Sequence, residues 1–257
     1  DKDSAAVANA TEMFCREVID ATCQIAPVLK PQAAFFECLG PCGMSSLWRV
    51  IQYARDVGMV VLLDGKRGDI GSTAQGYAEA YLGSTSAWQC DALTVNPYLG
   101  DDTLLPFYER CKKTAAGIFV LVKTSNPGSG FLQDLTMDGT PVFERVANHV
   151  QRLAEDSCGQ SGFGSVGAVV GATYPEQLAM MRDVMSKAWI LIPGFGAQGG
   201  TADDVKHGFR DGSGAIVNSS RGIIFAYRNP QYEHLSWQEA ISQAATDMRD
   251  QLSSAIS

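Results

Sequence analysis

A chain of 257 residues with 46% hydrophobic and 19% charged residues has an ordinary globular balance, which excludes disorder, collagen and coiled coil. Its 20 basic residues against 28 acidic ones leave a net charge of −8 at pH 7. With no long basic run, nucleic acid and anionic membranes are poor partners, and an anionic substrate would be met by a few local cations and backbone N–H groups.

Residues 4–24 read as a helix, because Val7, Ala10, Met13, Phe14 and Val18 fall at three- and four-residue steps. Short apolar runs then recur at roughly even intervals. They are PVLKP (27–31), MVVLLDGK (59–66), DALTVNPY (91–98), GIFVLVKTS (117–125), VGAVVGA (166–172), WILIPGFG (189–196) and GAIVNSSR (214–221). The runs are continuous and rich in β-branched residues rather than alternating, as in parallel strands buried on both faces. Helical patterns such as MSSLWRVIQYARDVG and YPEQLAMMRDVMSKA lie between them.

That alternation predicts an α/β protein, either a (β/α)8 TIM barrel or a doubly wound sheet. Seven strand candidates are one short of a closed barrel, and the chain opens on a helix. The expectation is therefore a barrel whose first strand precedes residue 1. The turn-rich stretch 126–140, NPGSGFLQDLTMDGT, predicts a mobile loop or a small hairpin. The stretch WQEAISQAATDMRDQL predicts a closing helix with Trp237, Ile241, Ala244, Met248 and Leu252 on one face. With no repeat, low-complexity tract or linker, the reading is one domain over 1–257.

The cysteines, at 15, 23, 38, 42, 90, 111 and 158, are odd in number and contain no CxxC pair. This argues against a disulfide framework or a zinc site and for a reducing compartment. No run of 18 apolar residues exists and the N-terminus lacks a signal-peptide core, so no membrane partner and a cytoplasmic location are expected. The sequons at Asn9 and Asn218 are then chance matches. His149, His207 and His234 are isolated, and no metal-ligand spacing occurs, so neither metal nor cofactor is expected.

Polar residues gather at the C-terminal ends of the strand candidates: Lys30, Asp64, Lys66, Asn96, Thr124, Ser125 and Arg221. In a parallel barrel that end carries the site, although strand ends are also simply where solvent begins. The sharpest cluster is LLDGKRGDIGST (62–73). Residues two apart on a strand share a face, so Asp64 and Lys66 would stand together in a place of restricted solvation, and the carboxylate would favour the charged amine. Lys30 could bracket Asp64, and Asp69 and Ile70 lie beyond the strand in a Gly-flanked loop. An ordinary ion-pair cluster is the plain alternative, and a Schiff-base lysine is opposed by the adjacent carboxylates. The Gly-rich IPGFGAQGG (192–200) and the following GAIVNSSRGI (214–223) read as a phosphate cradle, with Arg221 adding a charged contact. A dinucleotide site is unsupported, because no acidic residue follows at the required place.

Taken together, LKPQAAFFE, DGKRGDIGSTA, TVNPYLG, VKTSNPGSG, VVGAT, IPGFGAQGG and SSRGI resemble the orotidine 5′-phosphate decarboxylase family, in particular its type 2 subgroup, from about residue 5 to the C-terminus. The resemblance implies a homodimeric (β/α)8 barrel that converts orotidine 5′-phosphate to UMP and carbon dioxide without cofactor. It implies that Lys30, Asp64 and Lys66 form the charged network of one subunit, while Asp69, with Ile70 and Thr73, crosses from the partner. Ser125 would meet the pyrimidine edge, Gln198 and Arg221 the phosphate, and Pro193 and Ser220 the same pocket. The family's ribose-binding Asp, carried on a first strand, has no counterpart in the sequence. Two alternatives stand beside this: a related Mg2+-dependent barrel acting on sugar phosphates, and a silent barrel that only binds a nucleotide phosphate.

Overall fold

The computed structural model describes residues 2–172, 175–196 and 200–256. In chain order these form α1 (Lys2–Thr22), β1 (Val28–Leu29), α2 (Ala34–Glu37), α3 (Gly40–Asp56), β2 (Val60–Arg67), α4 (Gly71–Tyr81) and β3 (Ala92–Val95). Then come α5 (Leu105–Thr114), β4 (Gly117–Lys123), α6 (Gly130–Gln133), β5 (Thr136–Met137), β6 (Thr140–Pro141), α7 (Val142–Asp156) and β7 (Val166–Val170). The last are α8 (Pro175–Val184), β8 (Ile190–Pro193), α9 (Ala202–Val205), β9 (Ala215–Asn218), α10 (Arg221–Ile224) and α11 (Trp237–Ile256).

Each of the seven apolar runs becomes a strand, and all seven join one parallel sheet in the order β1-β2-β3-β4-β7-β8-β9. Only sequence neighbours pair, apart from the step over the β5–β6 hairpin, as in the winding of a barrel. Side-chain alternation divides the core. Leu62, Ala92, Phe119, Val169 and Leu191 meet inside the curl, while Leu63, Leu93, Ile118 and Val120 join the larger layer under the helices. β1 and β9 are the two edges of the sheet. A cavity of about 740 Å³, lined by Val28, Leu62, Phe119, Leu191, Ile216 and Met248, lies inside the curl, with α11 along it. The architecture is that of a (β/α)8 barrel, with seven of its strands among the described residues.

The expected helices are present with shifted faces or ends. In α1 the buried positions are Ala8, Glu12, Val18, Ile19 and Thr22, whereas Val7 and Met13 are 51% and 61% exposed. The inward face is rotated from the apolar one because Glu12 is the anchor: it accepts from Arg49 Nε of α3 at 2.6 Å and from Arg16 Nη2 at 2.9 Å. α3 starts ahead of the apolar pattern, with Pro41 in its first turn, where a missing N–H costs nothing. Residues 126–141 are the hairpin alternative, with a short 3₁₀ turn and α6 preceding β5 and β6. Ala240, Ile241 and Ala244 of α11 are buried, as its pattern requires. No helix among the described residues is long and apolar enough to cross a membrane, and all seven cysteines are free thiols.

Candidate active site

The site begins where β2 leaves its ladder. Leu63 pairs with Leu93 of β3, but the next matched pair is Arg67 with Val95. Asp64, Gly65 and Lys66 therefore stand opposite the single residue Thr94, a bulge of the kind that re-aims side chains at barrel rims. Lys66 takes the left-handed φ of +44°, which costs an L-residue on the order of 1 kcal/mol or more. The Thr94 hydroxyl bridges the bulge: it accepts from the Lys66 backbone N–H at 2.9 Å and donates to Asp64 Oδ1 at 2.9 Å.

On the other side, β1 is cut short by Pro31, which has no N–H to offer the sheet. Pairing continues around it through Asp64 N–H to Pro31 O and Ala33 N–H to Asp64 O. This places Lys30 and Gln32, which share a face with Val28, beside Asp64. The carboxylate thus collects four donors: Lys66 Nζ at 2.6 Å and Thr94 on Oδ1, Lys30 Nζ at 3.1 Å and Gln32 Nε2 at 2.9 Å on Oδ2. Asp64 is 7% exposed. Burial on its own would raise its pKa, but the Lys30 charge, the Lys66 ammonium and the Thr94 hydroxyl outweigh it and hold the carboxyl below its ordinary 3.8.

The expected restricted solvation holds for Asp64 and not for Lys66, whose side chain is 45% exposed; the better covered ammonium is that of Lys30, at 11%. The left-handed turn swings Lys66 toward the open end of the curl, where this chain alone leaves it half covered. Asp69 does not bracket it within the chain. Its carboxylate accepts from the Ile70 N–H at 2.8 Å, ahead of α4, and no ion pair joins it to Lys66 among the described residues. Ile70 and Thr73 are exposed at the start of that helix. The loop before them is held by Arg67, which pairs with Glu37 and lies 5.9 Å and 5.7 Å over the Tyr77 and Tyr81 rings.

The remaining expected residues lie on later βα loops. Ser125 follows β4, half-buried against Gly171. Pro193 ends β8, and the glycines after it, Gly194 and Gly196, take φ of +101° and +71°, which side chains rarely adopt. Ser219 Oγ donates to Phe195 O at 3.2 Å, tying the β9 loop to the β8 loop. Ser220 and Arg221 sit exposed at the start of α10. Gln198 lies outside the described residues. Gln32 and Thr94 were not foreseeable from charge; their signals are a polar residue two beyond Lys30 and a lone hydroxyl inside the apolar run 91–98. Chemically, two ammonium groups fixed on one carboxylate at the strand ends can stabilise negative charge on a bound molecule and deliver a proton.

A family model described as orotidine 5′-phosphate decarboxylase / HUMPS family matches residues 7–234. The orotidine 5′-phosphate decarboxylase of Rhodopirellula baltica is 54% identical over 260 residues, covering 98% of this chain and 85% of that protein. The one from Deinococcus radiodurans is 46% identical over 242 residues, covering 93% and 84%. Among solved structures, the OMP decarboxylase of Leishmania donovani superposes with a TM-score of 0.81 at 33% identity, covering 96% of this chain and 88% of that one.

Proposed function

The chain belongs to the orotidine 5′-phosphate decarboxylase family, and from that premise we propose that Lys30, Asp64 and Lys66 carry its reaction. The enzyme is a carboxy-lyase that converts orotidine 5′-phosphate to UMP and carbon dioxide in pyrimidine biosynthesis. The observation that supports the residue assignment is the Asp64 carboxylate with both ammonium groups on it, at the strand ends of the barrel.

In the proposed mechanism the bond from C6 of the pyrimidine to its carboxylate breaks, carbon dioxide leaves, and the electron pair stays on C6. No carbonyl or imine is placed to absorb that charge well, so the Lys66 ammonium stabilises it as it forms and then gives C6 its proton. Asp64 and Lys30 fix the direction of the amine, and solvent reprotonates it. Asp69, Ile70 and Thr73 reach the site of a second subunit. Phe35 on α2, Ile70 ahead of α4 and Tyr98 after β3 are 72%, 61% and 73% exposed, and a twofold contact between copies would cover these apolar side chains. Ser125 meets the pyrimidine edge. Gln198, Ser220, Arg221 and Pro193 line the phosphate end, whose binding energy drives closure around the reacting carbon. The chain acts as one domain over 1–257, and its free thiols suit the cytoplasm.

Incubation with orotidine 5′-phosphate in deuterated water is expected to give UMP carrying deuterium at C6. Lys66→Ala is expected to lose about 10³-fold or more in kcat while still binding UMP. A variant turning over at the wild-type rate would remove Lys66 from the reaction.

A further inference from the structure

Strand β4 ends on a lysine that is almost fully buried. Lys123 is 2% exposed, and its ammonium donates to Asp134 Oδ1 at 2.5 Å across the base of the 126–141 excursion. Alternation would send residue 123 inward with Phe119 and Leu121. A register shift against β7 between Leu121 and Lys123 turns it instead toward α7, where Nζ lies 5.4 Å from the Phe143 ring centroid.

The next residue is tied to the same turn. The Thr124 N–H donates to Gln133 Oε1 at 3.0 Å, and Gln133 Nε2 donates to Thr124 Oγ1 at 2.9 Å. From the opposite side Gly171 closes on Ser125. Its N–H donates to Lys123 O at 2.8 Å, and a Cβ added there would meet Ser125 Cβ at 2.8 Å and its Cα and N at 3.0 Å. Ser125 therefore sits between a clasp and a wall that packs this close only because residue 171 has no side chain.

We propose that Lys123, Gln133 and Asp134 are positioning residues, whose ion pair and two-point amide clasp lock the excursion onto β4 and present Ser125 to the pyrimidine edge of the substrate. This rests on the reading that Ser125 contacts the substrate. A buried ammonium without its acid is costly, which makes the Asp134 contact a strong constraint on the loop. The Asp134 side chain is itself 47% exposed, so replacing it removes little packing and acts through the charge left on the buried Lys123, a cost that thermal unfolding reads separately.

The test uses Asp134→Asn and Gln133→Ala, each alone and each combined with Ser125→Ala. Thermal unfolding is followed alongside kcat/KM for orotidine 5′-phosphate. Each single change at 133 or 134 is expected to lower kcat/KM about tenfold, the scale of a displaced contact group, with the fold retained. On a Ser125→Ala background the same changes are expected to cost almost nothing further, because the group they aim is gone. Full additive losses on that background would overturn the positioning role and leave a purely structural tie. Wild-type kcat/KM in Ser125→Ala would instead overturn the reading of Ser125, and the positioning role with it.

Discussion

Thr94 shows how one hydroxyl can set the direction of a charged group. Lys66 stands in a left-handed conformation on a bulge, and the only side chain opposite accepts its N–H while donating to the carboxylate that its own ammonium contacts. Thr94→Val preserves the shape and the strand preference but leaves that N–H without its acceptor and takes one of the four donors from Asp64. Losing a hydrogen bond to a charged group costs about 1.5–3 kcal/mol, so kcat is expected to fall about tenfold or more while UMP affinity changes little. Steady-state rates and a UMP titration would check it. An unchanged kcat would mean that the strained backbone aims Lys66 unaided. The carboxylate itself links the site to pH. Its pKa is lower in the folded chain than in the unfolded one, so its stabilisation is present above the ordinary carboxylate value and lost as pH falls through the folded one. The stability difference between wild type and Asp64→Asn is therefore expected to begin shrinking below about pH 4 and to vanish only below the depressed folded pKa, and a difference that did not shrink with added acid would contradict the linkage.

At the scale of elements, the same reasoning explains what the sequence showed and what it hid. The strands were legible because residues such as Val61, Leu62 and Leu63, or Ile118, Phe119 and Val120, are buried on both faces of the sheet, which forces continuous apolar runs. The bulges were not, since the run around Asp64 and that around Val122 look like uninterrupted strand. The face of α1 was misread because its anchor is an acid, and an apolar count cannot see a buried carboxylate between two arginines. Burial pushes Glu12 up, and the Arg49 and Arg16 contacts pull it further down, leaving it below its ordinary 4.5. Glu12→Gln is expected to cost about 1–3 kcal/mol at neutral pH, seen as a lower urea midpoint. Because the folded pKa is depressed, that difference is expected to shrink as pH falls through 4.5 and below. A pH-independent difference would assign the loss to packing instead.

At the scale of the whole molecule, the residues proposed to cross between subunits lie on a surface that this chain leaves uncovered. Asp69 contacts its own Ile70 N–H rather than Lys66, Ile70 is 61% exposed, and Lys66 is half uncovered at the open end of the barrel. A second copy docked on these loops would bring an acid and an apolar cover to the exposed ammonium at once, lowering the local dielectric around the charge it stabilises. The arrangement is self-complementary only if each copy donates and receives, which is the property of a twofold contact. In the proposed shared site, Lys66→Ala would remove the receiving half and Asp69→Ala the donating half. Random exchange between the two inactive preparations makes about half of the dimers mixed, and each mixed dimer holds one site with both residues intact. Recovery of about a quarter of the wild-type activity is therefore expected after unfolding and refolding the two together, with neither variant recovering when refolded alone. If the mixture stays as inactive as its components, Asp69 acts within its own chain or not at all, and the half-exposed Lys66 must be covered by some other part of the same subunit.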